Sequence, residues 1–340
     1  MKKILFLLLI VSGMTACENQ GNEFPDFDYN AVYFPVQYPV RTLSLGNDDI
    51  DNSLDKELKF NIGVTIGGMY ENTNDWTVDY VVDESLCDSL ENDVLPMPSS
   101  WYTLTPENQV IIPEGSFSGL ILVELTEDFL ADSLSSGNHY VIPLRIVSSN
   151  ADSVLTGLPL IPDADKRIAA HWDAGAPPKD FTLYMVKYVN EYHGAYLKRG
   201  IDYTMNVFGV VTDTAEYRAE YVERDEVVRL STSGRNEVLT NFMGANSGDG
   251  YSLKLVADQS SGEISVESSE ESTYGVAQPA TGQFVEGGDA WGGRERDVIY
   301  LSYKYLVGLN SHQVYDTLVF RDRGIAFETF MPEVRTGELK

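Results

Sequence analysis

The chain is predicted to be all-β, an N-terminal immunoglobulin-like β-sandwich followed by a C-terminal β-barrel or jelly-roll-like sandwich. Three observations carry this expectation. Apolar and polar residues alternate with a period of two, as where Leu58, Phe60, Ile62, Val64 and Ile66 are interleaved with Lys59, Asn61, Gly63 and Thr65; such a strand puts one face on a core and the other in water. Turn formers such as Pro113-Glu114-Gly115 and Ser136-Gly137-Asn138 punctuate the runs,. The runs are also short and numerous, six or seven over about 120 residues and then nine over about 150, as sandwiches and barrels require.

Taken in order, the chain opens on MKKILFLLLIVSGMTAC. Lys2 and Lys3 supply a positive start, Ile4 to Val11 an apolar run too short to span a bilayer, and Ser12 to Ala16 small residues before a cleavage point,. Residues 1–16 are therefore expected to be a lipoprotein signal peptide with Cys17 the lipidated residue, and 17–28 a flexible tether. From residue 29 the pattern is β. Trp76, Val78, Tyr80 and Val82 repeat the alternation, as do Tyr140, Ile142, Leu144 and Ile146, with a further strand at Leu120 to Leu125. Thr126 before EDFLAD is placed to cap one helical turn,. The sandwich is assigned to 29–158, and 159–179, rich in proline and centred on Trp172, to an ordered linker,. The second domain is assigned to 180–335, with strands expected at 181–189, 203–211, 216–222, 227–231, 251–256, 263–267, 298–305, 315–320 and 325–330.

Composition narrows the chemistry. A formal net charge of -28 disfavours nucleic acid or an anionic lipid surface as a partner held by charge. With Cys17 acylated only Cys87 is left, so no disulfide forms within one chain,. The four histidines, His139, His171, His193 and His312, include no helical metal pair,. The oxygen spacing of Asp49, Asp51, Ser53 and Asp55 imitates a calcium loop, but Leu54 stands where that loop needs Gly and Phe60 where it needs Glu, and a polar turn is expected instead,. No GxSxG elbow or HExxH helix occurs, and there is no cysteine–histidine pair to serve as a nucleophile,. No catalytic residue, metal or cofactor is assigned.

Aromatic residues are the stronger signal, with 20 Tyr, 14 Phe and 4 Trp. Sugar rings stack their apolar faces on such side chains while polar neighbours bond the hydroxyls. The densest cluster is GGDAWGGRERDVIYLSYKY, where Trp291 is expected on a glycine-rich loop beside Asp289, Arg294 and Arg296. In the following strand Ile299, Leu301, Tyr303 and Tyr305 are expected to face the core, leaving Tyr300, Ser302 and Lys304 on the other side. Trp291, Asp289, Arg294, Arg296, Tyr300 and Lys304 are the predicted ligand-binding residues. A second cluster, Tyr192, His193, Tyr196 and Arg199, is read as a hairpin turn with core tyrosines.

The signal ending in Cys17, LGNDDIDNSLDKELKFNIGVTIGG, VIIPEGSFSGLILVEL, HYVIPLRIVSSN and YDTLVFRDRGIAFETFMPEV together resemble surface lipoproteins of polysaccharide-utilisation loci in gut Bacteroidetes. The resemblance implies an outer-membrane protein, lipid-anchored and facing the exterior, that captures a glycan non-catalytically beside a TonB-dependent transporter and its lid lipoprotein. Some relatives join the same N-terminal module to hydrolases. A glycoside hydrolase or esterase is thus the alternative expectation, and a structural or adhesin lipoprotein the second.

Overall fold

The computed structural model describes residues 29–47 and 50–335. The expected signal peptide, Cys17 and the tether lie outside the described residues, as does Asp49. The fold is all-β, a two-sheet sandwich followed by a closed barrel. One sheet of the sandwich runs Ser153–Val154, Ala31–Tyr33, Lys59–Gly67, Ser118–Leu125, Tyr102–Thr105; the other runs Glu328–Thr329, Pro39–Ser44, Phe181–Val189, Tyr140–Ser149, Trp76–Val82, Gln109–Ile112. The alternating residues do what their period demands: Phe60, Ile62, Val64 and Ile66 meet Tyr80, Ile142, Leu144 and Ile146 across one continuous core,.

The domain boundary falls later than the expected residue 180. Phe181–Val189 belongs to the sandwich, antiparallel to Tyr140–Ser149 and parallel to Pro39–Ser44. Its near-continuous apolar character has a reason, because it is buried on both faces. Val186 and Tyr188 enter the main core, while Phe181, Leu183 and Met185 enter a second one with Val40, Leu86, Cys87 and Val141. The barrel begins after Asn190, whose side chain bonds the carbonyls of Gly234 (2.9 Å) and Glu237 (2.8 Å). The chain also returns at its end, Glu328–Thr329 pairing with Pro39–Val40 in place of the expected barrel strand at 325–330. The linker packs around Trp172, whose indole donates to the Asp165 carbonyl at 2.7 Å.

Among the described residues eight strands close the barrel: Gly194–Met205, Glu226–Gly234, Glu237–Leu239, Leu253–Ala257, Glu263–Ser268, Val276–Trp291, Arg294–Val307 and Asn310–Asp322. Each is antiparallel to the next, and the last pairs back onto the first from Ala195↔Asp322 to Met205↔Ser311. Closure removes every open edge from this ring. Val211–Tyr217 lies outside it, hairpinned onto Gly200–Met205. Leu230, Leu255, Val266, Ile299, Leu301, Tyr303, Tyr305 and Leu318 fill the interior, so the alternation predicted for 299–305 is met.

Two local expectations resolve differently. Glu127–Ala131 is the expected helical turn, but Thr126 does not cap it, and its Oγ1 is buried without a partner. Ser53–Lys56 is a helical turn in which Asp55 is buried, accepting from Arg41 and, at 3.0 Å, from the Ser44 amide. The carboxylate is spent on its own backbone and an arginine, as a polar turn requires.

Candidate functional site

The structure divides the six predicted ligand-binding residues. Val276–Trp291 and Arg294–Val307 form a hairpin turned by Gly292 and Gly293, both in the left-handed region at φ 62° and 75°,. Trp291 faces Arg294 and Asp289 faces Arg296 across it, so these four do come together. Their arrangement is not the expected platform. The Trp291 ring packs on Leu197, Val298 and Val319 on the outside of the barrel wall, and its indole donates to the Phe320 carbonyl at 3.1 Å. The Arg296 guanidinium covers the other face at 4.4 Å from the ring centre,. With both faces occupied, Trp291 fastens the hairpin down and offers no surface for a sugar.

Tyr300 has the opposite fate. It stands 41% exposed on the outer wall, and Tyr315 on the neighbouring strand is 49% exposed. They flank a groove of about 780 Å³. Register explains its make-up. Ser265, Thr281, Ser302 and Tyr315 are directly paired across four strands, and Glu263, Gln283, Tyr300 and Thr317 form the adjacent row. Each row is about 14 Å long, from strands about 4.8 Å apart, and two residues of rise separate the rows by about 7 Å. The hydroxyls of Ser265, Thr281, Ser302, Thr317 and both tyrosines have no protein partner among the described residues. Asp258 lines one end, its carboxyl held below the usual range by the hydroxyl and amide of Ser260. Lys304 stands one position beyond Ser302 on the same face, opposite Gln313 and outside the groove.

Inside the barrel lies a polar network that sequence reading missed. Asp202 and Asp316 are each 2% exposed and Lys198 is 1% exposed. Asp316 accepts from Tyr217, and from Tyr303 at 2.8 Å. Asp202 pairs with His312 Nδ1 at 2.9 Å and accepts from Tyr305 at 3.1 Å. Lys198 donates to the Gly244 carbonyl at 3.0 Å and meets Glu226 at 3.1 Å. Burial raises the Asp316 carboxyl to about 6, against the lowering pull of the two tyrosine hydroxyls. The Tyr217 and Tyr303 hydroxyls are pushed far up by the same burial and by the Asp316 charge. The hairpin Phe242–Met243 and Asn246–Ser247 plugs this end of the barrel. Gly244 N–H donates to Tyr303 at 2.6 Å, and the Asn246 amide donates to Tyr305 at 2.7 Å. Every member of the network is satisfied from within the chain, so it fixes the barrel end and seals it. The signal for it was the inward parity of positions 198, 202, 312 and 316 on strands that irregular registers concealed.

A third feature is the seam between the domains, a cleft of about 670 Å³ that includes Arg296 and Asp297. Its charges are largely occupied. Arg41 holds Asp55, and buried Arg323 binds the carbonyls of Glu191, His193 (2.7 Å) and Asn47 (3.2 Å), clamping sandwich to barrel. Beside it burial raises the Glu191 carboxyl, an effect Arg323 opposes. Tyr192 and Tyr196 are core residues, as expected, and Arg199 is bound to Asp225 at 2.5 Å.

With this geometry in place, comparison with known proteins is informative. The model of a domain of unknown function, DUF5627, matches residues 191–324, and a model described as an N-terminal domain matches 27–153. The first begins where the structure itself divides, just after Asn190, and the second ends before the sandwich strand Phe181–Val189. No curated protein matches. A solved Bacteroides ovatus protein of unknown function is 35% identical, with a TM-score of 0.79, over 91% of this chain and 99% of that one. Two further Bacteroides ovatus structures are more distant. One, of unknown function, is 14% identical with a TM-score of 0.44 over 90% and 99% of the two chains. The other, a multidomain protein including DUF1735, is 13% identical with a TM-score of 0.43 over 86% and 94%. The chain belongs to the same family as the first of these Bacteroides ovatus proteins, an all-β family whose function has not been assigned.

Proposed function

We propose that this protein is a lipid-anchored glycan-binding protein of the bacterial outer membrane, acting without catalysis in polysaccharide capture, and that the glycan lies in the groove between Tyr300 and Tyr315. The observation that carries this reading is the pair of exposed tyrosines set among serine and threonine hydroxyls that have no protein partner among the described residues. Aromatic faces favour the C–H faces of sugars, and the hydroxyl rows match ligands whose own hydroxyls both donate and accept. The signal segment ending in Cys17 supports attachment through lipid, and the resemblance to utilisation-locus lipoproteins supports a role beside a TonB-dependent transporter. A hydrolytic reading draws less support. Asp316, whose carboxyl burial raises, has both oxygens taken by tyrosines inside the barrel, which leaves neither to act on a substrate.

Gel electrophoresis of the mature chain through immobilised polysaccharides tests the assignment. Tyr300→Ala and Tyr315→Ala should each abolish most of the retardation while Trp291→Ala, if folded, retains it. Retardation that ignores both tyrosines would refute the groove as the site.

A further inference from the structure

The lining of the groove also bears on the class of glycan. Resting on the reading of this wall as a glycan site, we infer that its ligand is an uncharged polysaccharide engaged through at least two consecutive sugar units, and that uronic or sulfated chains are refused. Asp258 and Glu263 line the groove together with Asp316, whose carboxylate is buried on its tyrosines, and among its described lining residues there is no Lys, Arg or His. The nearest cations are committed or displaced. Arg199, beside Thr317, is bound through Nε to Asp225, and its Nη2 is buried away from the surface. Lys254 is bound to Glu267 at 3.1 Å, and Lys304 stands beyond the row of Ser302. A carboxylate or sulfate placed here would lose water, gain no guanidinium or ammonium, and face two carboxylates that can only accept.

The number of units follows from the register. Ser302 is opposite Tyr315 and Thr317 is opposite Tyr300, so the two rings are diagonal neighbours, roughly 7–8 Å apart at the backbone,. That spacing gives each ring its own sugar unit, with Ser265, Thr281 and Ser302 along one row and Glu263 and Thr317 along the other to take the hydroxyls. Pyranoses with equatorial hydroxyls, which expose a flat C–H face on both sides, fit such a pair best.

Affinity electrophoresis of the full mature chain against neutral β-glucan, mannan and amylose, and against polygalacturonate, alginate and chondroitin sulfate, separates the possible results. At least one neutral polymer should retard the chain, and no polyanion should. Tyr300→Ala and Tyr315→Ala should each weaken it about tenfold. Tyr315→Phe should keep most of the affinity, Lys304→Ala should leave it unchanged, and circular dichroism should show all four variants folded. Tyrosine-dependent retardation by a polyanion would overturn the ligand class and leave the groove standing. Retardation by any polymer that survives both alanine variants, or no retardation at all, would overturn the groove itself.

Discussion

Trp291 and Tyr300 lie nine positions apart and show how exposure depends on parity and neighbours more than on composition. A tryptophan between glycines invites a reading as a displayed ring, yet Leu197, Val298 and Val319 below and Arg296 above enclose it. Trp291→Ala should therefore cost about 2 kcal/mol in urea unfolding, below the 3–5 kcal/mol of a fully buried tryptophan because the ring is only partly covered. An unchanged midpoint would contradict its role as a fastener. Gly200 has the reverse character. A Cβ there would meet the Tyr315 carbonyl at 2.4 Å and the Tyr217 hydroxyl at 2.8 Å, so Gly200→Ala should destabilise by about 1–3 kcal/mol. A neutral result by the same measurement would mean that Tyr217 does not pass there.

Asp316 gives a pH prediction. Its carboxyl, raised to about 6 by burial, binds a proton more tightly in the folded protein than in the unfolded chain. Acidification from about pH 6 to about pH 4 therefore adds stability through this group. His193 acts oppositely in the same window: burial lowers its imidazole to about 4, so the unfolded chain takes up the proton first and stability is lost,. Asp316→Asn should thus make acid destabilisation steeper between those limits, seen as a larger drop in the urea midpoint. A profile parallel to that of the native protein would contradict the assignment. None of this was legible in sequence, because 52 acidic residues conceal the two, Asp202 and Asp316, held inside the barrel.

At the level of elements, regular alternation was readable and irregular strands were not. Lys59–Gly67 and Trp76–Val82 keep a strict period and fall where expected. Val276–Trp291 carries Pro279 and two register shifts, between Ala277 and Thr281 and between Val285 and Asp289, which erase its pattern,. Phe181–Val189 is a clear strand assigned to the wrong domain, since a continuous apolar run does not say which cores it separates. Val211–Tyr217 is a different kind of element. Its residues are exposed except Tyr217, which is partly buried and reaches Asp316. Amide hydrogen exchange should be faster across 211–216 than across 298–305 in the same barrel, and Tyr217→Phe should accelerate it further. Equal protection of the two strands would show that the outlying hairpin is held by more than this latch.

Across the whole molecule, strand directions set Tyr29, where the described chain begins, apart from the barrel. Lys59–Gly67 runs from the seam with the barrel to the vicinity of Tyr29, where Gly67 pairs with Ala31, so Tyr29 lies at the pole of the sandwich remote from the barrel. Arg323 and the returning strand Glu328–Thr329 join the domains at that seam. A chain tethered through Cys17 would then hold the groove away from the membrane, with the sandwich as the spacer. The all-β class and the two-domain order were legible from periodicity and turns. The proposed binding wall was only half legible, through Tyr300, because Tyr315 joins it by a pairing that no local pattern reveals. The most direct test of the account is a glycan array probed in parallel with the mature protein and its Tyr300→Ala/Tyr315→Ala double variant. The native protein should bind neutral glycans and the folded variant none; identical binding by both, or none by the native protein, would contradict a glycan site between the two tyrosines.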